Sequence, residues 1–324
     1  MKIYPLLAAL LVATWSAAAS AQKASWPTNP VRLIVPYPAA SSGDLIAREV
    51  MPRFAQKLGG AFYIDNRAGA NGNLGMKAVK DAAPDGNTFA VASDIQFAVS
   101  PVVYTNLPYD ADHDFTAVAP LADMPNVIVA TNSLKANNLR ELIALAKAQP
   151  GQLSYASVGP GSTHQLNVEL LKLRGGFDML HVPYRGTPQA TPDLINGQVH
   201  IMFFGLPQAL QMVKSGQLKV LAAGTLKRLP EFPDVPTIAE SGFPGFEATS
   251  VWGVWAPAGT PAPIVSRLRE GITQALAEKD VQEWYRNSGL ATMDGGAEEM
   301  TRKLLARREI WRETVKAAKI DLMD

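Results

Sequence analysis

From Trp26 onward the chain alternates short β-branched apolar runs with stretches of helical periodicity, and this alternation restricts its fold more than any other feature. Val31-Arg32-Leu33-Ile34-Val35, closed by Pro36, reads as a buried strand. Ala47, Val50, Met51, Phe54 and Leu58 then share one helical face. Pro52 lies inside that helix and is expected to kink or divide it, an interior proline costing ~3 kcal/mol. Phe62–Ile64 and Thr88–Ala92 read as the next strands. The pattern resumes with strands at Asn126–Ala130, Leu153–Ser157, Met179–Pro183, Val199–Phe204 and Leu218–Ala222. A helix striped by Leu139, Leu142, Ile143 and Ala146 is stopped by Pro150-Gly151. Near residue 260, Thr260 reads as a cap and Pro261 as the first residue of a helix striped by Val265, Leu268, Ile272 and Ala275. The last helix turns Met300, Leu304, Trp311 and Val315 inward, with Glu299 and Lys303 as an i,i+4 pair outside.

Repeated β-α alternation implies an α/β fold of mainly parallel sheet covered by helices on both faces. In such folds ligands bind at the carboxyl edge of the strands, where helix N-terminal amides point. Phe115–Ala130 and Phe246–Ala256 break the rhythm and read as two crossovers between two β-α series. The expected organisation is a first domain of residues 22–124 plus 248–324, a second domain inserted at 125–247, and a cleft between them.

The N-terminus reads as a leader. Lys2 supplies a positive start, Ile3 to Ala13 is apolar apart from Pro5, and Ala19-Ser20-Ala21 fits a small-x-small cleavage site. The apolar run falls short of the ~20 residues that span a bilayer. A signal peptide over 1–21 and a soluble periplasmic protein are expected. Thirty Lys+Arg against 29 Asp+Glu argue against a nucleic-acid partner. The absence of cysteine removes disulfides, thiolate metal sites and cysteine nucleophiles.

Two turns carry the chemistry. Tyr37-Pro38-Ala39-Ala40-Ser41-Ser42-Gly43-Asp44 joins the first strand to its helix through small residues that let a ligand approach free backbone amides. It is an anion site or an ordinary capped turn. Ser157-Val158-Gly159-Pro160-Gly161-Ser162-Thr163-His164 repeats the design in the second half of the chain. One such turn per domain suggests a clamp on one anionic ligand. Ser93-Asp94 lies at a neighbouring strand end, where Asp94 accepts from a ligand or caps the next helix. Tyr184 and Arg185 end another strand; Arg185 is a carboxylate fork or a solvated surface residue. Phe204-Gly205 ends a further one. The glycine-rich run Asp65–Gly75 lacks the spacing of nucleotide-binding loops and reads as a tight turn with close helix packing.

Catalytic signals are poor. No G-x-S-x-G elbow occurs, and Ser162 and His164 lie two apart without an orienting carboxylate in the motif. His113, His164, His181 and His200 include no i,i+4 pair, so neither a metal nor another cofactor is expected.

The series Trp26-Pro27, Val31–Tyr37, Asp65–Ala70, Ala83-Pro84-Asp85-Gly86, Leu107-Pro108-Tyr109-Asp110, Pro150-Gly151-Gln152-Leu153, His181–Gly186, Asp234-Val235-Pro236-Thr237 and Ala256–Pro261 resembles the tripartite tricarboxylate transporter solute-binding family, also called the Bug proteins. The resemblance covers nearly the whole chain after the leader. It implies a type II periplasmic binding fold, no catalysis, and capture of a small organic carboxylate between two domains through backbone amides and ordered waters. By matching motif it implies ligand roles for Tyr37, Ala39, Ala40, Ser41, Ser42, Ser93, Ser157, Gly159, Gly161, Ser162 and Thr163, and for Tyr184, Arg185 and Gly205. Asp94 and His164 join the candidate set on the residue reading alone. Ala40-Ser41 stands where the family usually has two glycines, which narrows the pocket and adds hydroxyl donors.

The expected function is therefore a monomeric periplasmic receptor that delivers a carboxylate to a membrane permease. A sensor domain using the same cleft, and a serine hydrolase using Ser162 and His164, are the alternatives. Tyr37, Tyr184 and Phe204 suit an aromatic acid; a dicarboxylate or acidic amino acid stays open.

Overall fold

A computed structural model describes residues 26–324, so the leader reading over 1–21 lies outside the described residues. In chain order the first elements are β1 (Val31–Val35), α1 (Ser42–Leu58), β2 (Phe62–Asn66), α2 (Asn73–Lys80), β3 (Thr88–Ser93), α3 (Ser100–Val103) and β4 (Phe115–Thr131). Then come α4 (Leu139–Ala148), β5 (Ser154–Ser157), α5 (Thr163–Gly175), β6 (Leu180–Pro183), α6 (Thr187–Ile195), β7 (Ile201–Gly205), α7 (Leu206–Lys214) and β8 (Leu218–Ala223). The chain closes with β9 (Thr249–Pro257), α8 (Ala262–Leu276), α9 (Lys279–Asn287) and α10 (Gly296–Ala318). No described helix is long and apolar enough to cross a membrane.

The strands follow the order β2-β1-β3-β9-β4-β7-β5-β6, with β8 also on β4. β4 belongs to both halves of this sheet. Its residues Phe115–Pro125 pair with β9, while Asn126–Thr131 lie between β7 and β8. The outer ladders β1–β2, β1–β3, β5–β6 and β5–β7 are parallel, as the β-α alternation requires. The ladders made by β9 and β4 are antiparallel, because these long strands run back between the two series. The sheet is therefore mixed, where alternation alone implied a mainly parallel one.

Each half is a sandwich, here called a lobe. In the first, Leu33, Val35 and Val254 bury against Val50, Phe54 and Leu268 of α1 and α8 on one face, while Ile34, Ala90 and Trp255 meet Met76, Met300 and Leu304 of α2 and α10 on the other. In the second, Ile128 and Tyr155 face Leu142 and Leu171, and Val129 and Met202 face Leu194 and Leu210. Each fully buried side chain of this size contributes about 1.5–3 kcal/mol.

Three local expectations are revised. α1 runs through Pro52 as one helix; the proline is solvent-exposed, on the side where water can hydrate the carbonyl that loses its partner. α8 starts one residue later than read, with Pro261 at the N-cap, and the Thr260 hydroxyl donates to the Pro257 carbonyl (2.8 Å) instead of capping. Glu299 pairs with Arg302, not Lys303. Lys303 instead reaches both crossovers, Asp123 of β4 at 2.6 Å and Glu247 just before β9 at 3.0 Å. These carboxylates are partly buried, which makes them stronger partners than an exposed i,i+4 neighbour. Lys303→Ala is expected to lower unfolding stability by about 1–2 kcal/mol, because two partly buried carboxylates lose their counter-charge. Glu299→Ala is expected to change it by less than about 0.5 kcal/mol, both read by denaturant titration.

Candidate functional site

The first turn is held by its own side chains. Ser41 caps α1 and its hydroxyl accepts the Asp44 N–H at 3.4 Å, which leaves the first-turn amides of Ser42 and Gly43 without an intrahelical acceptor. Asp44 is buried and receives the Ala40 N–H at 2.8 Å, Arg48 Nε at 2.8 Å and Asn66 Nδ2 at 3.0 Å. Behind the turn, the Tyr37 hydroxyl shares a 2.6 Å hydrogen bond with Ser93 Oγ and donates to Gln96 Oε1 at 2.8 Å. Burial raises this phenol above its ordinary range, so it stays protonated. The Tyr37 ring meets Trp252 edge-on at 5.2 Å. A β-carbon on Gly43 would fall 2.3 Å from the same indole, which is why glycine sits there.

The second turn follows the same plan. Ser162 caps α5, accepting the Gln165 N–H at 3.4 Å, and its hydroxyl donates to the Gly159 carbonyl at 2.6 Å. The first-turn amides of Thr163 and His164 are left without an intrahelical acceptor. Ser157 Oγ accepts the Gly159 N–H at 3.1 Å and shares a 2.6 Å bond with His181 Nε2. Gly159 (φ 123) and Gly161 (φ 68) occupy backbone regions that side chains rarely adopt. Burial pushes the His164 imidazole down to about 4, so it is neutral, and its Nδ1 has no hydrogen-bond partner among the described residues.

β4 brings strand ends of the two lobes near one another. Ser93 at the end of β3 pairs with Trp252, which pairs with Ala122. A few residues further along β4, Asn126 pairs with Gly205 at the end of β7. The carboxyl ends of β1 and β3 therefore border the same stretch of β4 as those of β5 and β7. A β-carbon on Gly205 would lie 3.8 Å from Ser42 Oγ, and Asn71 Nδ2 of the first lobe reaches the Pro160 carbonyl of the second at 3.4 Å. A cavity of about 270 Å³ adjoins Ser42, lined among others by Leu45, Met124, Gln208 and Trp284.

Other candidates lie further out. Ala39 is exposed in the first turn. The Tyr184 hydroxyl turns back to Asp193 at 2.7 Å, although its carbonyl lies 3.7 Å from where a Gly159 β-carbon would be. Arg185 is exposed and forms no ion pair among the described residues. Asp94 sits at the N-cap of the next helical turn without a side-chain capping bond, and its buried carboxylate is held by Arg307 at 2.9 Å. Sequence reasoning missed Gln96 and Asn71. Gln96 is fully buried in a π-helical turn, Ile95–Val99, where it joins Tyr37, the Ser93 N–H (3.1 Å) and the Asn71 carbonyl (2.6 Å). Asn71 tips the glycine-rich turn at φ 53.

The sequence profile described as "Tripartite tricarboxylate transporter family receptor" matches residues 46–320. The chain belongs to that receptor family. It is 34% identical over 312 residues, 96% of this chain and 93% of the relative, to the UPF0065 protein in the tcbD-tcbE intergenic region of Pseudomonas sp. (strain P51). Among solved structures, R. palustris Rpa4515 with adipate matches at TM-score 0.85 and 34% identity, over 92% of this chain and 100% of that one. The periplasmic binding protein BugD matches at TM-score 0.83 and 32% identity, again over 92% and 100%. MatC from Rhodopseudomonas palustris with bound malate matches at TM-score 0.82 and 30% identity, over 90% and 100%. The fold is thus that of the periplasmic binding proteins of the tripartite tricarboxylate receptor type.

Within this receptor the departure at Ala40 has a visible cost. Ala40 adopts φ 63, a left-handed conformation unfavourable for alanine by roughly 1–2 kcal/mol. The Ala40 N–H bond to Asp44 offsets it. Ala40→Gly is expected to stabilise the protein by up to about 1 kcal/mol. Asp44→Asn is expected to cost about 2 kcal/mol at pH 7. Burial alone would raise the Asp44 carboxyl, but the bonds from Arg48, Ala40 and Asn66 outweigh it and hold it below the usual value. An unfolded aspartate titrates near ~3.9, so this stabilisation is full above that pH and fades as acid protonates the folded carboxyl. Denaturant unfolding at pH 7 and pH 3 should show the gap between Asp44→Asn and the parent narrowing at pH 3.

Proposed function

We propose that this receptor captures a small organic carboxylate between the two turns and presents it to a membrane permease after export to the periplasm. The observation that carries the reading is the pair of capped helices, α1 and α5, whose unpaired first-turn amides stand at strand ends on either side of β4. Such amides, with the helix dipoles behind them, hold an anion without a cationic side chain. Relatives that bind adipate and malate support the ligand class. The two lobes, divided at 124/125 and 247/248, act in this proposal as domains that close on the ligand about β4 and β9.

The hydrolase alternative has little support. The Ser162 hydroxyl is spent on the Gly159 carbonyl, and His164 has neither Ser162 nor a carboxylate as a hydrogen-bond partner among the described residues. A sensor role would use the same cleft and differ only in the partner.

Proline at the first helical position removes one amide donor while respecting helix geometry. Ser41 (φ −70, ψ 164) and Ser162 (φ −76, ψ 155) already have the extended backbone that a following proline demands. Calorimetric titration of the protein from Gln22 onward with adipate, malate, glutamate and benzoate should give saturable one-to-one binding of one class of acid. Ser42→Pro and Thr163→Pro should each weaken that binding about 10- to 100-fold, the loss of a charge-assisted hydrogen bond, with little change in melting temperature. Full affinity in both variants would reject this site.

A further inference from the structure

After α10 the backbone reverses at Lys319 (φ 53) and returns along α3. There the Met323 N–H donates to the Val103 carbonyl at 2.7 Å, and the Thr105 N–H donates to the Met323 carbonyl at 2.8 Å. Met323 pairs with Tyr104 as a parallel bridge, and Thr105 Oγ1 donates to Asp324 Oδ1 at 2.9 Å. The end of the chain is thus tied to the first lobe by backbone hydrogen bonds. The Met323 side chain meets the second lobe. Its Cε lies 2.3 Å from where a β-carbon on Gly161 would be, and Val103 Cγ2 lies 3.1 Å from the same point. Beneath this contact, Leu166 and Leu170 of α5 pack with Trp311 and Val315 of α10 and with Ile320. On the same turn, Asn71 reaches the Pro160 carbonyl.

We infer that the C-terminal segment Ile320–Asp324 is a positioning clamp for the carboxylate site: Met323, fixed to the first lobe, seats on Gly161 and holds the second lobe's turn in its binding geometry. The inference rests on the function proposed above. Gly161 is favoured by its positive φ, and the Met323 methyl occupies the space a side chain there would enter. Methionine suits the contact, because an unbranched thioether follows small displacements of the turn without losing its packing. β4 and the strand leading into lobe one at β9 join the lobes covalently. The tail adds a non-covalent connection beside the ligand turn, and Met323 acts through Gly161 without touching the ligand.

The chain has no cysteine, so Lys135→Cys in the second lobe and Arg286→Cys in the first, both exposed, give a unique spin-label pair. Pulsed electron resonance then reads the inter-lobe distance distribution without ligand, and calorimetry reads the affinity for the tightest binder among adipate, malate, glutamate and benzoate. Deleting Ile320–Asp324 is expected to broaden the distribution and weaken binding at least tenfold. Met323→Ala should weaken it three- to fivefold, and Met323→Leu should restore it to within twofold. An affinity loss in Met323→Ala with an unchanged melting temperature, restored by leucine, is a result that general destabilisation would not produce. Gly161→Ala should cost less affinity in the Met323→Ala background than alone, since the colliding methyl is gone. An unchanged distribution together with affinities within twofold in the deletion and in Met323→Ala would overturn the clamp. If the deletion does not fold, the two Met323 variants decide. If the parent binds none of the acids, the proposed function fails, and the distance distribution alone decides the clamp.

Discussion

Everything else in this fold depends on one strand giving its hydrogen-bonding edges to two sets of partners. β4 runs for 17 residues, pairing first with β9 and then with β7 and β8. The change of partner falls at Pro125-Asn126. Proline has no N–H to give a ladder, and the Asn126 amide takes over by donating to the Ala248 carbonyl and Ser250 Oγ. Register shifts earlier in β4, around Ala117–Ala119 and Pro120–Ala122, bend the strand at its other proline. Because the partners change there, strand ends from two separate β-α series come to border the same few residues. The placing of both candidate turns at neighbouring strand ends follows from that single backbone event.

The turns themselves divide labour between side chains and backbone. The hydroxyls of Tyr37, Ser41, Ser157 and Ser162 are bonded to neighbouring groups of their own lobe. Their effect is to fix the loops, through Asp44 and Gln96 in one lobe and His181 in the other. Left without an intrahelical acceptor are the first-turn amides of α1 and α5. A site built this way is preorganised, so little conformational entropy is lost when an anion arrives.

The strands, the two small-residue turns and the crossovers were legible in the sequence, because β-branched runs, helical periodicity and glycine each act over a few residues. Strand direction at β4 and β9 was not, since alternation reports only the parallel units; Pro120 and Pro125 were the available hint of an irregular strand. The hydroxyls that looked like ligand donors could not be told from struts, because the direction of a serine O–H is settled by distant partners such as His181. Asp94 and Lys303 illustrate the same limit. Their partners, Arg307 for one and Asp123 and Glu247 for the other, lie far away in the chain. Gln96 carried no local signal, as a glutamine in an apolar run reads as surface until the π-helical turn buries it.

The amides of Ser42, Gly43, Thr163 and His164 belong to positions, not to residue types. Trp252 holds position 43 to glycine, but at the other three any side chain compatible with the first turn of a helix supplies the same N–H group. The proposed grip on a carboxylate, being written in backbone, is therefore blind to most substitution at those positions. A scaffold with an anchor of that kind can be retuned around it without rebuilding it.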